Sequence, residues 1–250
     1  MTSVFINGLP CGCLAVCLAL SGIANAQETS PVPSRTDHKA NRSPTAPAAE
    51  DLERFSGLLK ISHTGIVKLL NIECPTESRL LISANAQCLN GIASGGAAFS
   101  FRDRAYSVAP ASDIRLTKGQ IVAGGLFTLG AIVDIGEADI SQISVATPGI
   151  SFLDSYVPRT KGSEVARESA AVNEHRSDGR FIFAGAAPLI TGHVYGLRSV
   201  GYRSETRSLE GNRDDVLIVF LAVRVDEVGN ATLVWKELWR RHAPLLDTTK

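Results

Sequence analysis

The sequence predicts a mostly β, antiparallel domain, either a sandwich or a barrel-like sheet, with one or two short surface helices. From Phe55 onward, short runs rich in Val, Ile and Leu alternate with Gly, Asn and Asp, a pattern typical of strands and turns. Residues 216–225 carry a single charge and many β-branched side chains, which predicts a strand buried on both faces; a buried helix is the alternative. The regular alternation of strands with ten-residue helices that nucleotide-binding sheets require is not visible.

The first 26 residues have the pattern of a secretory signal peptide. An uncharged, mostly apolar run at residues 9–23 precedes Ala24-Asn25-Ala26, a small-x-small cleavage motif. The opening residues 1–8 contain no Lys or Arg, which departs from the usual signal peptide. The alternative is an uncleaved anchor, but about fifteen residues at ~1.5 Å each span ~23 Å of a ~30 Å hydrocarbon core. We therefore expect export to the periplasm or the exterior, with no membrane span after cleavage.

Residues 27–50 are predicted to form a disordered tether. The segment contains Pro31, Pro33, Pro44 and Pro47 among Ser, Thr and Ala, and has no aromatic residue. Such a composition cannot bury enough apolar area to offset the entropy lost on ordering. The rest of the chain, residues 51–250, is predicted to form one β-rich domain, with a possible subdivision near residues 158–179.

Two cysteines, Cys74 and Cys88, remain after the predicted cleavage. An even cysteine count in an exported chain favours a disulfide. A zinc site needs about four ligands, and a redox pair normally shows CxxC spacing. We therefore expect a structural disulfide worth ~3 kcal/mol in the chain-entropy model. Two separately buried thiols are the alternative.

Two hairpins are predicted in the first half of the domain. Residues 58–62 and 66–72 flank His63-Thr64-Gly65, a three-residue break that contains glycine. Residues 113–116 and 120–123 flank a second such break at residues 117–119, where Gly119 can adopt the left-handed conformation that a bulged loop requires.

The second half is predicted to contain one surface helix and a long final hairpin. Residues 161–179 are rich in alanine and have only a thin apolar stripe, and Ser163 can cap the helix. Residues 216–225 and 231–239 flank the turn residues 226–230. Further strands are expected near residues 98–101, 126–135, 143–146, 150–153, 180–183 and 193–202.

The composition and motifs disfavour several functions. The 25 basic and 25 acidic residues balance, and no clustered positive charge indicates a nucleic-acid surface. The nucleophile motifs GxSxG and SxxK, the HExxH zinc motif and the spaced acidic run of a calcium loop are all missing from the sequence. We therefore expect no metal and no cofactor. His63 and His193 are the candidates for a catalytic site that only the fold would assemble.

The tryptophans suggest a candidate binding surface. At strand spacing, Trp235, Glu237 and Trp239 lie on one face. Two indoles flanking a carboxylate can bind a sugar or the apolar surface of a partner. The alternative is that both tryptophans anchor the core.

Together these observations favour an exported, non-catalytic β-rich module that binds an unidentified protein or cell-envelope component. The alternatives are a secreted hydrolase that uses His63 or His193, and a purely structural envelope protein.

Overall fold

The computed structural model of the protein describes residues 43–72, 88–89, 92–93, 96–107, 112–125, 128–203 and 213–247. The predicted signal peptide, residues 27–42 of the predicted tether and Cys74 lie outside the described residues, and only the backbone of Cys88 is described. The export signal and the disulfide therefore stay predictions. All described residues fall within one unit of the chain, residues 42–250. None of the helices in the described part of the chain has the length and apolar character needed to cross a membrane.

Among the described residues, the larger sheet has seven strands, and all their pairings are antiparallel. Numbered in chain order, its strands are β1 (Thr64–Leu69), β8 (Thr128–Glu137), β9 (Arg176–Ser177), β10 (Ile182–Ala184), β12 (His193–Gly201), β13 (Asp214–Val225) and β14 (Ala231–His242). They lie in the order β1-β14-β13-β12-β8-β10-β9.

The smaller sheet has five strands and packs on one face of the larger sheet. Its members are β4 (Ala98–Ser100), β5 (Ala105–Tyr106), β6 (Ile114–Thr117), β7 (Gln120–Ala123) and β11 (Ala186–Pro188), in the order β11-β7-β6-β4-β5. A separate two-stranded ribbon pairs β2 (Cys88–Leu89) with β3 (Ile92–Ala93). The predicted antiparallel β class is confirmed, and the described strands form a sandwich-like pair of sheets.

Glycines allow the two sheets to meet at one corner. The chain passes from the smaller to the larger sheet between β7 and β8, and returns between β10 and β11. A Cβ added at Gly130 would lie 2.5 Å from the backbone nitrogen of Gly124, so the strands approach too closely for a side chain. The Ala123 N–H donates to the Gly185 carbonyl at 2.8 Å, which joins the two crossing segments.

The centre of the larger sheet is buried on both faces. Its inner face packs against the smaller sheet through Phe220, Trp235 and Tyr195, which meet Phe99 and Phe101. Its outer face packs beneath the segment 138–157, where Val133, Phe183, Leu217 and Val219 of the sheet meet Leu153 of that segment. This explains why β13 is apolar on both sides, as predicted.

Four short helices accompany the sheets in the described part of the chain, more than the one or two predicted. They are α1 (Ala49–Arg54), α2 (Ser56–Leu59), α3 (Ile150–Ser155) and α4 (Gly162–Asn173). The structure confirms the predicted surface helix in α4, of which only Val172 is buried. Lys161, rather than Ser163, occupies its N-cap position. Helix α1 begins inside the segment 27–50 that was expected to be a disordered tether.

The first predicted hairpin is wrong. Residues 56–59 form α2, and β1 pairs with β14 in the register Thr64↔Lys236 instead of with a preceding strand. The cause is tertiary: Leu58 packs against the outer-face core as part of α2. The predicted strand at 150–153 is likewise α3, and residues 143–146 form no strand. Short apolar runs fit a strand and a buried helical turn equally well.

The other two hairpins form where they were predicted. Strands β6 and β7 pair through Thr117↔Gln120, so the loop has two residues instead of three. Both loop residues have positive φ, 50° at Lys118 and 71° at Gly119, as a type I′ turn requires. The final hairpin joins β13 to β14 through the turn 226–230, and β13 lies between β14 and β12.

Candidate functional site

A β-bulge separates the two tryptophans that were expected to share one face. Trp235 pairs with Phe220, and Trp239 pairs with Leu217, with a register shift between them. The extra residue in β14 reverses which side of the sheet the following side chains face. The two indoles therefore lie on opposite faces, and the three candidate residues do not form a common surface.

Trp235 belongs to the core between the sheets. Its side chain is 3% exposed and its ring lies 5.4 Å from that of Phe101. Trp239 lies on the outer face, where its Nε1 donates to Asp154 Oδ1 at 2.7 Å. The Arg241 guanidinium lies 4.1 Å from the Trp239 ring.

Glu237 lies beneath an arginine–histidine cluster. Its side chain is 4% exposed and accepts hydrogen bonds from Arg240 at 2.9 and 3.2 Å. His63 Nδ1 lies 3.4 Å from Glu237 and accepts a hydrogen bond from Arg104 at 2.6 Å. An arginine can only donate, so His63 Nδ1 is the acceptor in this contact and is already engaged by Arg104.

His193 forms the second histidine–carboxylate pair. Its Nδ1 lies 3.0 Å from Asp134 Oδ2, and the two side chains are 24% and 34% exposed. This is the relative placement of histidine and carboxylate in general-base pairs. Asp134 also accepts the Gly136 N–H at 2.8 Å, which fixes its position at the end of β8. Within the described part of the chain, the hydrogen bonds of His193 do not include a serine, threonine or cysteine side chain.

A small cleft opens on the outer face of the larger sheet, between α3, α4 and strands β8 and β12. Its volume is about 30 Å³. Its walls are apolar and come from all four of these elements and from β10: Leu129, Ala131, Phe152, Val172, Phe183 and Val200.

Two arginines border the cleft in different ways. Arg176 Nη1 donates to Glu168 Oε2 at 2.8 Å, and these side chains are 43% and 19% exposed, so this ion pair lies at the opening. Arg198 lies inside and is 2% exposed. Its Nε and Nη2 donate to Asp215 at 3.0 and 2.8 Å. Its Nη1 donates to the carbonyl oxygens of Leu153 and Tyr156.

The Arg198 side chain therefore has a structural role. Its carbonyl contacts lie at the C-terminal end of α3, where backbone oxygens lack helical partners. The rings of Tyr156 and Trp239 lie 5.2 and 5.1 Å from the guanidinium. All three of its nitrogens are engaged, so Arg198 has little capacity left to bind a ligand.

Two tyrosines lie beside the cleft. Tyr156 lines it, and Tyr202 packs with Leu129, Val172 and Val200 in the same apolar cluster. Burial raises the pKa of both phenols above the usual value, so both stay neutral at physiological pH. The hydroxyls of Tyr156 and Tyr202 are both buried and interact with each other, without a hydrogen bond of normal geometry among the described residues.

A second buried ion pair connects the two sheets. Arg102 Nε lies 2.7 Å from Asp113 Oδ1, and both side chains are almost fully buried. Ser199 in β12 and Ser100 in β4 also donate to Asp113. This network is enclosed, so we assign it to stability rather than to ligand binding.

The described residues contain no group of three or more His, Cys, Asp or Glu side chains arranged to hold a metal ion. Searches of protein-family models, curated protein sequences and solved structures find no significant match to the chain. The cleft could not be foreseen from the sequence, because its lining residues are scattered between positions 129 and 200 and share no motif.

Proposed function

We propose that the protein is an exported, non-catalytic β-rich module that binds a partner protein or a cell-envelope component, and that the cleft beneath α4 receives an apolar group of that partner. The observation that carries this proposal is an accessible cleft whose walls are apolar and whose opening bears an ion pair. Apolar walls with a few polar groups at fixed places are the usual composition of a binding site.

The size of the cleft limits what it can hold. Sites for whole small molecules have volumes of roughly 300–1,000 Å³, and one water needs roughly 10–15 Å³. At about 30 Å³ the cleft accommodates the end of one aliphatic side chain. We therefore infer that it takes an anchoring side chain of a larger partner, with further contacts made around it.

Titration of the ¹⁵N-labelled protein with N-acetyl-leucinamide, followed by NMR, tests this proposal. We expect concentration-dependent shifts at the amides of Leu129, Ala131 and Val172. Val172→Phe fills the cleft, because Val172 is buried in its wall, and is expected to weaken binding at least about tenfold, the effect of roughly 1.4 kcal/mol.

Ala170→Phe is the matched control, since it adds a phenyl ring to the exposed side of the same helix. It should bind the probe like the wild type. Unchanged binding by Val172→Phe would contradict the proposed use of the cleft. A complete lack of shifts in the wild type would favour a purely structural envelope protein.

Export makes a separate prediction about the mature chain. Mass spectrometry of the protein recovered after secretion is expected to find Gln27 as the first residue, because Ala26 ends the cleavage motif.

Peptide mapping without reductant is expected to recover Cys74 and Cys88 in one linked pair. An intact Met1 terminus would contradict export by cleavage, and two freely alkylated thiols would contradict the disulfide.

A secreted hydrolase is the second candidate. One observation favours it: His193 Nδ1 faces the Asp134 carboxylate at 3.0 Å, an arrangement that leaves Nε2 able to accept a proton. It ranks second because neither His193 nor His63 lines the cleft, and Arg104 occupies the Nδ1 of His63.

A further inference from the structure

The opening of the cleft combines apolar walls with a cation that is only partly buried. Arg176 Nη1 donates a hydrogen bond to Glu168 Oε2 at 2.8 Å, and both residues line the cleft. Arg198 also lines it, but Asp215 and backbone carbonyls engage its guanidinium. Arg176 is therefore the better placed of the two to meet a ligand.

The Glu168 carboxylate occupies the position that a ligand carboxylate would take on Arg176. A partly exposed ion pair of this kind contributes little to stability because water screens it. Replacing one carboxylate by another on the same guanidinium therefore costs little. A carboxylate can also contact arginine through two parallel hydrogen bonds, which adds directional preference.

We propose that the group bound in the cleft is an apolar carboxylate, with its aliphatic chain between α4 and the sheet and its carboxylate on Arg176 in place of Glu168. This inference rests on the proposed function, and it names the chemistry of the bound group. The charge of Arg176 selects the carboxylate, and the apolar walls select the chain.

The attachment of α4 allows the cleft to lengthen for such a chain. Val172 is its single buried residue. Two backbone hydrogen bonds join the ends of the helix to the rest of the chain, from Gly162 N–H to the Asp247 carbonyl and from Gly185 N–H to the Val172 carbonyl. Val165 packs only partly buried against the same apolar cluster, so a longer chain needs to displace few fully buried contacts of α4.

NMR titration with acetate, butyrate and hexanoate, each compared with its uncharged amide at one pH and ionic strength, tests the proposal. We expect butyrate to bind about twofold tighter than butyramide in the wild type, because its carboxylate must displace Glu168 from a screened ion pair. Each added methylene is expected to tighten binding roughly fourfold until the cleft is full.

Two charge variants with a matched control complete the experiment. Arg176→Gln should reduce the affinity for butyrate to that for butyramide. Glu168→Gln should strengthen butyrate binding several-fold, because the competing carboxylate is gone. Arg180→Gln, at a nearby exposed arginine, should change neither affinity. Thermal unfolding of each variant checks that it is folded.

The outcomes separate this inference from the proposed function. Equal affinity for butyrate and butyramide in Glu168→Gln, or weaker butyrate binding there than in the wild type, would overturn the carboxylate and leave an apolar binding cleft. Shifts with neither compound and none with N-acetyl-leucinamide would overturn both.

Discussion

Phe220→Ala is expected to lower the free energy of unfolding by about 3–5 kcal/mol. Phe220 lies in the interior strand β13 and is fully buried between the two sheets. Its ring stacks on Tyr195 at 5.2 Å and on Phe101 at 6.5 Å. Truncation removes these contacts and leaves a cavity that a sheet paired on both sides cannot readily close.

Urea unfolding of the variant and the wild type measures this loss. Val228→Ala is the control on the same hairpin, because Val228 is 70% exposed, and it should cost no more than about 0.5 kcal/mol. Lys236 is a poorer control, since its Nζ donates to the Ser141 carbonyl at 3.0 Å and its side chain is only partly exposed. A near-neutral Phe220→Ala would contradict the position of β13 in the core.

Asp215→Asn is expected to lower the free energy of unfolding by about 3–5 kcal/mol, because it leaves the Arg198 charge buried without its partner. The two side chains are 2% and 1% exposed and joined by two hydrogen bonds. Arg241 Nε also donates to Asp215 Oδ2 at 3.2 Å. Asp215→Asn therefore also weakens the contact of this second arginine with the carboxylate.

Glu168→Gln is the control for this experiment, since it removes the acid of a partly exposed ion pair and should cost no more than about 1 kcal/mol. The double variant Arg198→Met/Asp215→Leu adds a sharper test. Replacing both residues of a buried ion pair by apolar ones can restore stability. Here the Arg198→Met change also removes the guanidinium that donates to the Leu153 and Tyr156 carbonyls. We therefore expect partial rescue only. A loss under about 1 kcal/mol in Asp215→Asn would show that the pair is not closed to water.

The sequence predicted those elements whose partners are close along the chain. The β6–β7 and β13–β14 hairpins and helix α4 all formed near the predicted positions. In each case the deciding signal is local: turn residues between two apolar runs, or a run of good helix formers. The hairpin loop at Lys118 and Gly119 was mispredicted by one residue, which lies within the ambiguity of a turn signal.

The elements that were mispredicted depend on distant contacts. Leu58 and Ile150 belong to helices because both pack on the outer face of the larger sheet, whose strands come from much later in the chain. Strand β1 likewise finds its partner in β14. A short apolar run carries no information about which of these surfaces will cover it.

The residues of the candidate site also show what local sequence spacing could predict and what it could not. Period-two spacing put Trp235 and Trp239 on one face, and a single inserted residue in β14 placed them on opposite faces. Burial then decided their roles, with Trp235 in the inter-sheet core and Trp239 against Arg198 and Asp154. His193 was a candidate from its residue type alone, and its Asp134 partner became visible only through the pairing of β8 with β12.

The sequence by itself determined the antiparallel β class, the buried character of β13 and the surface position of α4, because hydrophobic period and turn chemistry act over a few neighbouring residues. Tertiary structure alone decided which face each side chain of β14 occupies, which charges are buried as the Arg198–Asp215 and Arg102–Asp113 pairs, and where the cleft opens. These features depend on strand register and on the layers that pack over each strand. Their energy comes from desolvation and packing between those layers, which no local stretch of sequence records.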